Sequence, residues 1–276
     1  MLSDQQLTLY LHRLGYGGGT AAELGNLRAL HRAHMQHVPF ENLDIHLGRK
    51  IKLTTSALFD KLVLQGRGGF CYELNYLFGE LLTSLGFEVQ RHSARVYRGQ
   101  DSDQAFGPDF DHMLLSVTIQ GETLIADVGF GDSFLEALPL QGEPLIQGDA
   151  GYAIQRQGSA YVLLQQKQEP PGGEWQPQYL FDLTPYEIGA FEAMCSYQQT
   201  SPESAFTQKT VCSIATADGR NTISNRRFIT TRAGVRSERL IANETDYRQI
   251  LERDFNIILP PDASLERLLA GPGLKK

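Results

Sequence analysis

Three side chains in this sequence have the types and spacing of a nucleophilic catalytic site: Cys71, His112 and Asp127. Cys71 follows a pair of glycines and opens a run of apolar residues at helical spacing that ends at Gly86, which predicts a helix beginning at the thiol. The free N–H groups and the dipole at a helix N-terminus favour thiolate over thiol. The glycines are expected to leave the sulfur open to a substrate. The alternative is a buried helical cysteine that only packs.

A reactive cysteine needs a base, and the base needs a group that orients it. His112 begins the apolar run 113–117, and Asp127 lies near the end of the run 123–128, with a tight turn at Gly121 between the two runs. Paired as a hairpin, the runs would place His112 and Asp127 on neighbouring rungs, within reach of a hydrogen bond. An aspartate in an apolar strand is costly to bury without such a partner. The alternative is that His112 and Asp127 only satisfy each other's hydrogen bonds at the rim of the sheet.

The composition limits the classes of protein to which the chain can belong. Its 276 residues, 41% of them hydrophobic, are enough for a large core. Three cysteines are too few for a disulfide framework and suit a reducing compartment. The start of the chain lacks a signal-peptide pattern and no apolar stretch is long enough to span a membrane, so we expect a cytoplasmic protein. A net charge of −7 gives no support for nucleic-acid binding.

The elements that must position these groups fall into three predicted domains. Residues 1–88 predict a helical domain that carries the nucleophile, residues 89–184 a β-barrel domain of about six strands that carries the histidine and the aspartate, and residues 185–276 an α/β lid domain. The predicted fold class is therefore α+β, with an N-terminal helical bundle, a central antiparallel β-barrel and a C-terminal α/β lid. The Pro/Gly-rich run 169–173 is expected to be a loop within the β region.

Local signals place several of the individual elements. Predicted helices begin at Ser3 or Asp4, at a capping box formed by Thr20 and Glu23, at Thr54 or Thr55, and at Cys71. In the last third of the chain we expect helices over 187–197, 244–255 and 265–269, and strands over 211–216 and 223–230 joined across Asp218 and Gly219.

The sequence resembles the arylamine N-acetyltransferases of the bacterial type. The resemblance lies in the segment Arg67-Gly68-Gly69-Phe70-Cys71-Tyr72-Glu73-Leu74-Asn75, in His112, and in Asp127-Val128-Gly129-Phe130-Gly131. The segments 38–43, 179–183 and 200–206 match too, in the order that this family has. The resemblance implies a core like that of cysteine proteases and transglutaminases, in which Cys71 is the nucleophile, His112 the base and acid, and Asp127 the residue that orients it.

The resemblance also implies substrates and further site residues. Acetyl-coenzyme A would be the acetyl donor, with no permanently bound cofactor, and arylamines, arylhydrazines or N-hydroxyarylamines the acceptors, in a ping-pong mechanism. The implied acceptor pocket consists of Phe40, Val96, Phe130 and Phe206. Residues expected to support the site are Glu41 and Arg67 as a buried ion pair, Glu73 and Asn75 as hydrogen-bonding groups, and the glycines Gly68, Gly69, Gly129 and Gly131.

Other interpretations and other clusters remain open from the sequence. An amide synthase or a cysteine hydrolase related to the transglutaminases would use the same triad, and a binding module could keep the fold without catalysis. His31, His34 and His37 lack acidic or cysteine partners, so we expect no metal site. The arginines over 220–239 would either face the coenzyme nucleotide or form the solvated face of a hairpin. Cys195 and Cys212 are expected to be packing residues.

Overall fold

The computed structural model of the protein describes residues 1–99, 105–148, 150–167 and 173–270. Most of the loop predicted over 169–173 lies outside these described residues. Within them, no helix is both long and apolar enough to cross a lipid bilayer.

The N-terminal part of the chain is helical. Its helices are α1 (Asp4–Arg13), α2 (Leu24–His37), α3 (Leu43–His46), α4 (Thr55–Phe59), which continues into a π-helical turn (Asp60–Leu64), and α5 (Cys71–Ser84). Ser3 caps α1 in a complete capping box with Gln6, and Thr54 caps α4, as predicted. The capping box predicted at Thr20 is wrong, because Glu23 itself precedes the first residue of α2 and its side chain makes no capping hydrogen bond.

Within the described part of the chain, eight antiparallel strands form the central sheet. They are β2 (Glu88–Val96), β3 (His112–Ile119), β4 (Glu122–Ala126), β5 (Leu138–Pro139), β6 (Leu145–Gln147), β7 (Ala150–Gln157), β8 (Ala160–Lys167) and β9 (Gln176–Phe181), in the order β5-β4-β3-β2-β9-β8-β7-β6. The sheet curls until β5 lies against β7, which makes a nearly closed barrel. Leu115 faces Ala126 across the turn at Gly121, the register that the sequence predicts. The short strands β5 and β6 are additional to the six predicted.

The last part of the chain mixes a second sheet with helices. The helices are α6 (Glu192–Thr200), preceded by a 3₁₀ turn (Ile188–Phe191), α7 (Ala205–Gln208), α8 (Glu244–Phe255) and α9 (Glu266–Ala270). The sheet has the order β1-β10-β11-β12-β13, with β1 (Phe40–Glu41), β10 (Val211–Thr216), β11 (Gly219–Ser224), β12 (Arg227–Arg232) and β13 (Val235–Leu240).

The strand predicted over 223–230 is wrong, because the chain reverses within it. Asn225 adopts the left-handed conformation with φ 54° and closes the turn between β11 and β12. The sequence analysis also missed β13, because all six of its residues are exposed and no alternation of apolar and polar residues marks them.

Two structural features bring the parts of the chain together at Cys71. Eleven of the 14 residues of α5 are buried, and the helix packs against α1, α4, β2 and β3, so it is a central helix surrounded by other elements. The two-residue strand β1, although it comes from the helical region, pairs with β10, so that Phe40 faces Ser213 and Glu41 faces Cys212. The C-terminal sheet therefore begins beside the turn that precedes Cys71.

We expect Gly68→Ala to destabilise the protein by about 3 kcal/mol or more, because a Cβ atom at Gly68 would lie 2.0 Å from the backbone oxygen of Pro39 in the segment leading to β1. Chemical denaturation measures the change in the free energy of unfolding. Gly25→Ala is the matched control, since Gly25 is helical with nothing within 4 Å, and alanine there should stabilise by up to about 1 kcal/mol. Equal effects of the two substitutions would contradict the proposed close approach.

Candidate active site

The glycines before Cys71 allow two parts of the backbone to meet. Glu41 N donates to Gly69 O at 2.8 Å, and Gly69 N donates to Pro39 O at 3.3 Å. A Cβ atom at Gly69 would lie 2.8 Å from the side chain of Glu73. In the same way, a Cβ atom at Gly68 would clash with Pro39. The expectation that these glycines leave the sulfur open to a substrate is therefore wrong. The space that they free is filled by the protein's own chain.

Behind this turn lies a buried network of five charged side chains. Arg67 Nη2 lies 2.7 Å from Glu41 Oε1 and 3.0 Å from an oxygen of Asp44, which confirms the predicted ion pair. Lys61 Nζ lies 2.8 Å from Asp44 and 2.7 Å from Glu73. Asp44 and Lys61 were not predicted to belong to this site, since no local pattern distinguishes them from surface charges. The network ties β1, α3 and the π-helical turn to the first turn of α5.

Glu73 is the member of this network that is hardest to keep ionised. Its Oε2 accepts a hydrogen bond from Phe70 N at 3.1 Å, which holds the residue before Cys71 in place. Burial raises the pKa of Glu73 to about 7, in spite of the attraction of Lys61. The carboxylates of Glu41 and Asp44 add to the effect of burial, because three carboxylates share two cations in this network.

Asp127 is wholly buried and accepts hydrogen bonds from three separate elements. Its Oδ2 accepts from His112 Nε2 at 2.8 Å, and its Oδ1 accepts from Asn75 Nδ2 at 2.8 Å and from Gly129 N at 3.0 Å. Burial acts to raise the pKa of Asp127, but the His112 imidazole and these hydrogen bonds outweigh it and hold the pKa below its usual value. The predicted bond between His112 and Asp127 is confirmed.

His31, which the sequence analysis considered only as a metal ligand, positions the backbone of Asp127. Its Nε2 accepts from Asp127 N at 3.0 Å, so its Nδ1 carries the proton and donates to Leu135 O at 2.9 Å. The ring stacks on Phe134 with centroids 5.3 Å apart. Burial lowers the pKa of His31 to about 4, which keeps it neutral and able to accept. Sequence spacing gave no signal for this contact, because 96 positions separate His31 from Asp127.

The thiol of Cys71 lies against the strand that carries His112. The backbone of Met113, the residue after His112, acts to lower the pKa of the thiol. Burial raises the pKa of Cys71 well above its usual value, and the negative charge of Asp127 adds to this effect. The helix N-terminus therefore does not by itself give a free thiolate, contrary to the expectation from sequence. The thiol needs a base beside it, and the commitment of His112 Nε2 to Asp127 leaves Nδ1 as the ring nitrogen that can serve.

The aromatic residues of the predicted pocket pack in two groups of rings. Phe206 lies 6.2 Å from Phe40 and 5.6 Å from Phe70, between ring centroids. Phe130 contacts His112 at 5.2 Å and Tyr179 at 5.1 Å. Phe70 and Tyr179, which were not among the predicted pocket residues, are fully buried beside them.

The remaining predicted pocket residue, Val96, lies on β2. It is two positions after Ala94, which pairs with His112, so the alternation of a strand places Val96 on the same face of the sheet as Ala94. A separate cavity of about 790 Å³ lies between residues 45–54 and α6, with Cys195 in its wall. The three catalytic candidates do not line it, so we do not assign the substrate to this cavity.

The other candidate clusters make contacts within the protein. His34 Nε2 lies 3.1 Å from the hydroxyl of Tyr10, and His37 Nδ1 bonds to Ala33 O. Among the described residues, no group of three or more histidine, cysteine, aspartate or glutamate side chains could hold a metal ion. Most arginines of the basic cluster contact carbonyls or carboxylates of the C-terminal sheet and of the chain that follows it. These arginines are Arg226, Arg227, Arg232, Arg236 and Arg239.

The thiol begins a central helix that packs on β3, and the bonded histidine and aspartate lie at the barrel strands β3 and β4, an arrangement that suits a cysteine-dependent enzyme. A model of the N-acetyltransferase family matches residues 23–264. The arylamine N-acetyltransferase of Mycolicibacterium smegmatis is 38% identical over 230 residues, which cover 82% of each chain. This chain belongs to the arylamine N-acetyltransferase family, as its resemblance implied.

Solved structures of the family agree with the fold. The M. smegmatis enzyme has a TM-score of 0.88 at 32% identity, over 96% of this chain and 98% of that one. The Mycobacterium marinum arylamine N-acetyltransferase in complex with CoA has a TM-score of 0.86 at 30% identity, over 96% of this chain and 97% of that one.

We expect the raised pKa of Glu73 to make stability depend on pH. The carboxyl has a pKa of about 4.5 when unfolded and about 7 when folded, so the folded state holds its proton more tightly. The stability that this contributes is complete below pH 4.5 and is lost as the pH rises through 7, by up to about 3 kcal/mol. Denaturation from pH 5 to 8 should show this decline in the wild type and a flatter profile in Glu73→Gln. The same pH dependence of the free energy of unfolding in the wild type and in Glu73→Gln would contradict this expectation.

His31→Phe should lower the free energy of unfolding by about 2–4 kcal/mol, because the N–H of Asp127 and the carbonyl of Leu135 lose their partner while the stacking on Phe134 is kept. His31→Gln is the matched control, since an amide can accept from one of these groups and donate to the other. Glutamine should therefore recover much of the loss in the same denaturation measurement. If His31→Phe and His31→Gln had the same free energy of unfolding, the role of His31 as a bridge between the Asp127 N–H and the Leu135 carbonyl would be wrong.

Proposed function

We propose that this protein transfers an acetyl group from acetyl-coenzyme A to arylamines, arylhydrazines or N-hydroxyarylamines through an acetylated Cys71. Membership of the family supports the reaction, and the relative that was solved with CoA supports the donor. The observation that carries the proposal is the hydrogen bond from His112 Nε2 to the buried carboxylate of Asp127. It orients the imidazole and directs Nδ1 to the reacting atoms.

In the first half-reaction His112 Nδ1 takes the proton of Cys71, and Sγ attacks the thioester carbonyl. The bond from carbon to the coenzyme sulfur breaks, the leaving thiolate takes the proton from His112, and Cys71 is left acetylated. Because the buried thiol resists ionisation on its own, the proton transfer to His112 is what generates the nucleophile. Asp127 stays ionised and stabilises the imidazolium that forms.

In the second half-reaction the acceptor amine attacks the acetyl carbon of Cys71. His112 takes a proton from the amine and returns it to the sulfur as the carbon–sulfur bond breaks, which restores the free enzyme. We assign the aromatic ring of the acceptor to an apolar slot formed by Phe40, Val96, Phe130 and Phe206. The ring contacts of Phe40 with Phe206, and of Phe130 with His112, support this assignment.

The division into domains and the location of the protein are part of the same proposal. We assign residues 1–88 to a helical domain, 89–184 to the barrel and 185–276 to a lid, supported by the separate apolar clusters under the C-terminal sheet and within the barrel. The strand β1 crosses this division. The three free cysteines, all buried, suit a cytoplasmic protein.

Acetyl-coenzyme A alone should leave one acetyl group on the peptide that contains Cys71, seen by mass spectrometry, and an arylamine such as an aminobenzoic acid should then remove it. Cys71→Ser should lower turnover by several orders of magnitude, because the nucleophile is lost. Cys195→Ala is the control and should keep activity, since Cys195 is assigned no catalytic role.

Two results would contradict the proposal. Steady release of coenzyme without an acceptor would indicate a hydrolase. Absence of an adduct with any acyl donor would indicate a binding module.

A further inference from the structure

Arg220, on β11, connects the C-terminal sheet to the loop that follows Asp127. Its Nη1 donates to the carbonyl oxygen of Gly131 and, at 3.1 Å, to Ser213 Oγ, while its Nε lies 3.0 Å from a carboxylate oxygen of Asp132. Only 14% of the side chain is exposed, so solvent screens these contacts weakly. The other arginines of the cluster, where the structure describes them, contact their own sheet or the chain after it.

The loop over 129–132 forms one wall of the site. A Cβ atom at Gly129 would lie 2.8 Å from Cys71 Cα and 2.7 Å from Asn75 Nδ2, so this glycine packs directly on the start of α5. The next residue, Phe130, contacts His112. Gly131, with φ 87°, turns the chain so that its open side faces the ring of Phe40, where a Cβ atom would lie 3.3 Å away.

The same guanidinium also contacts the strand that pairs with β1, which carries Phe40. Phe40 pairs in register with Ser213, the residue whose hydroxyl accepts from Arg220. The position of Arg220 is itself fixed, because its carbonyl accepts from Arg232 Nη1 at 3.2 Å. One side chain therefore contacts both the strand opposite Phe40 and the loop that carries Phe130.

We infer that Arg220 is a positioning residue that determines acceptor specificity. By joining Gly131 to Ser213, it sets the separation of Phe40 and Phe130 and hence the width of the slot that receives the aromatic ring. The inference rests on the proposed acetyl transfer and identifies what selects the acceptor within it. None of the described contacts of Arg220 is with Cys71, His112 or Asp127, so the acetylation of Cys71 does not depend on it.

The two half-reactions of a ping-pong enzyme can be measured separately, which allows a direct test. We would measure the single-turnover release of coenzyme A without acceptor, and the KM for a single-ring and for a two-ring arylamine. Arg220→Met should leave the release rate within about 2-fold of the wild type, raise the KM for the single-ring arylamine about 10-fold and reduce the discrimination between the two acceptors.

Three further variants serve as controls. Arg220→Lys should be intermediate, since an ammonium can reach Asp132 but lacks the fork that bonds two groups at once. Asp132→Asn, whose side chain is exposed, should change the KM in the same direction but less, and it tests the inference even if Arg220→Met folds poorly. Arg236→Met, on exposed β13 with Glu238 as its partner, should behave as the wild type.

Two outcomes would overturn the inference. One is an unchanged KM and unchanged discrimination in Arg220→Met. The other is equal slowing of both half-reactions, which would indicate general structural support. If the wild type itself fails to acetylate Cys71, the proposed function is refuted and this inference falls with it, a result distinct from both of the others.

Discussion

The burial of the Asp127 carboxylate is the constraint on which the rest of this structure depends. A carboxylate without access to water must have its oxygens paired, or ionisation becomes too costly. Here the donors come from β3, from α5 and from the loop after Asp127, while α2 supplies His31 for the backbone N–H. Satisfying one charged group thus fixes the barrel against two helices of the N-terminal region.

The helix α5 serves three purposes through three residues of its first turns. Cys71 and Asn75 are four residues apart and therefore lie on one face, toward β3 and Asp127, whereas Glu73 points to the opposite side. On that side Glu73 meets the buried ion network, and its carboxylate also holds Phe70 N. Cys71 is held between these two buried sets of charges, so its position is determined from both sides.

The burial of the site also makes the thiol of Cys71 harder to ionise. A thiol in this environment does not ionise readily, and the negative charge of Asp127 makes ionisation harder still. The arrangement offsets this through His112, because a proton moved from the thiol to the imidazole creates a cation beside the buried anion. The charge of Asp127 thus destabilises a thiolate on its own. It stabilises the ion pair of thiolate and imidazolium that the proposed mechanism requires.

Much of the site could be predicted because its signals are local. The helix starting at Cys71 follows from apolar spacing, and the bond between His112 and Asp127 follows from the register of one tight hairpin. The ion pair of Glu41 and Arg67 was expected as a support for the turn before Cys71, and the structure confirms it. Where the local signal was weak the predictions were incomplete, as at Asn225, whose turn divides what was expected to be a single strand.

The sequence by itself therefore determined the family and predicted a site of Cys71, His112 and Asp127, since short motifs and strand pairing encode them. Tertiary structure alone decided what surrounds them. His31, Lys61 and Arg220 each act on residues that are distant in the chain, and no periodicity records such contacts. The tertiary structure also decided the role of Gly68 and Gly69, because only the folded chain brings Pro39 and Glu73 into contact with them. The physical reason is that burial, which sets both the pKa of Cys71 and the need for partners, is a property of the packed molecule.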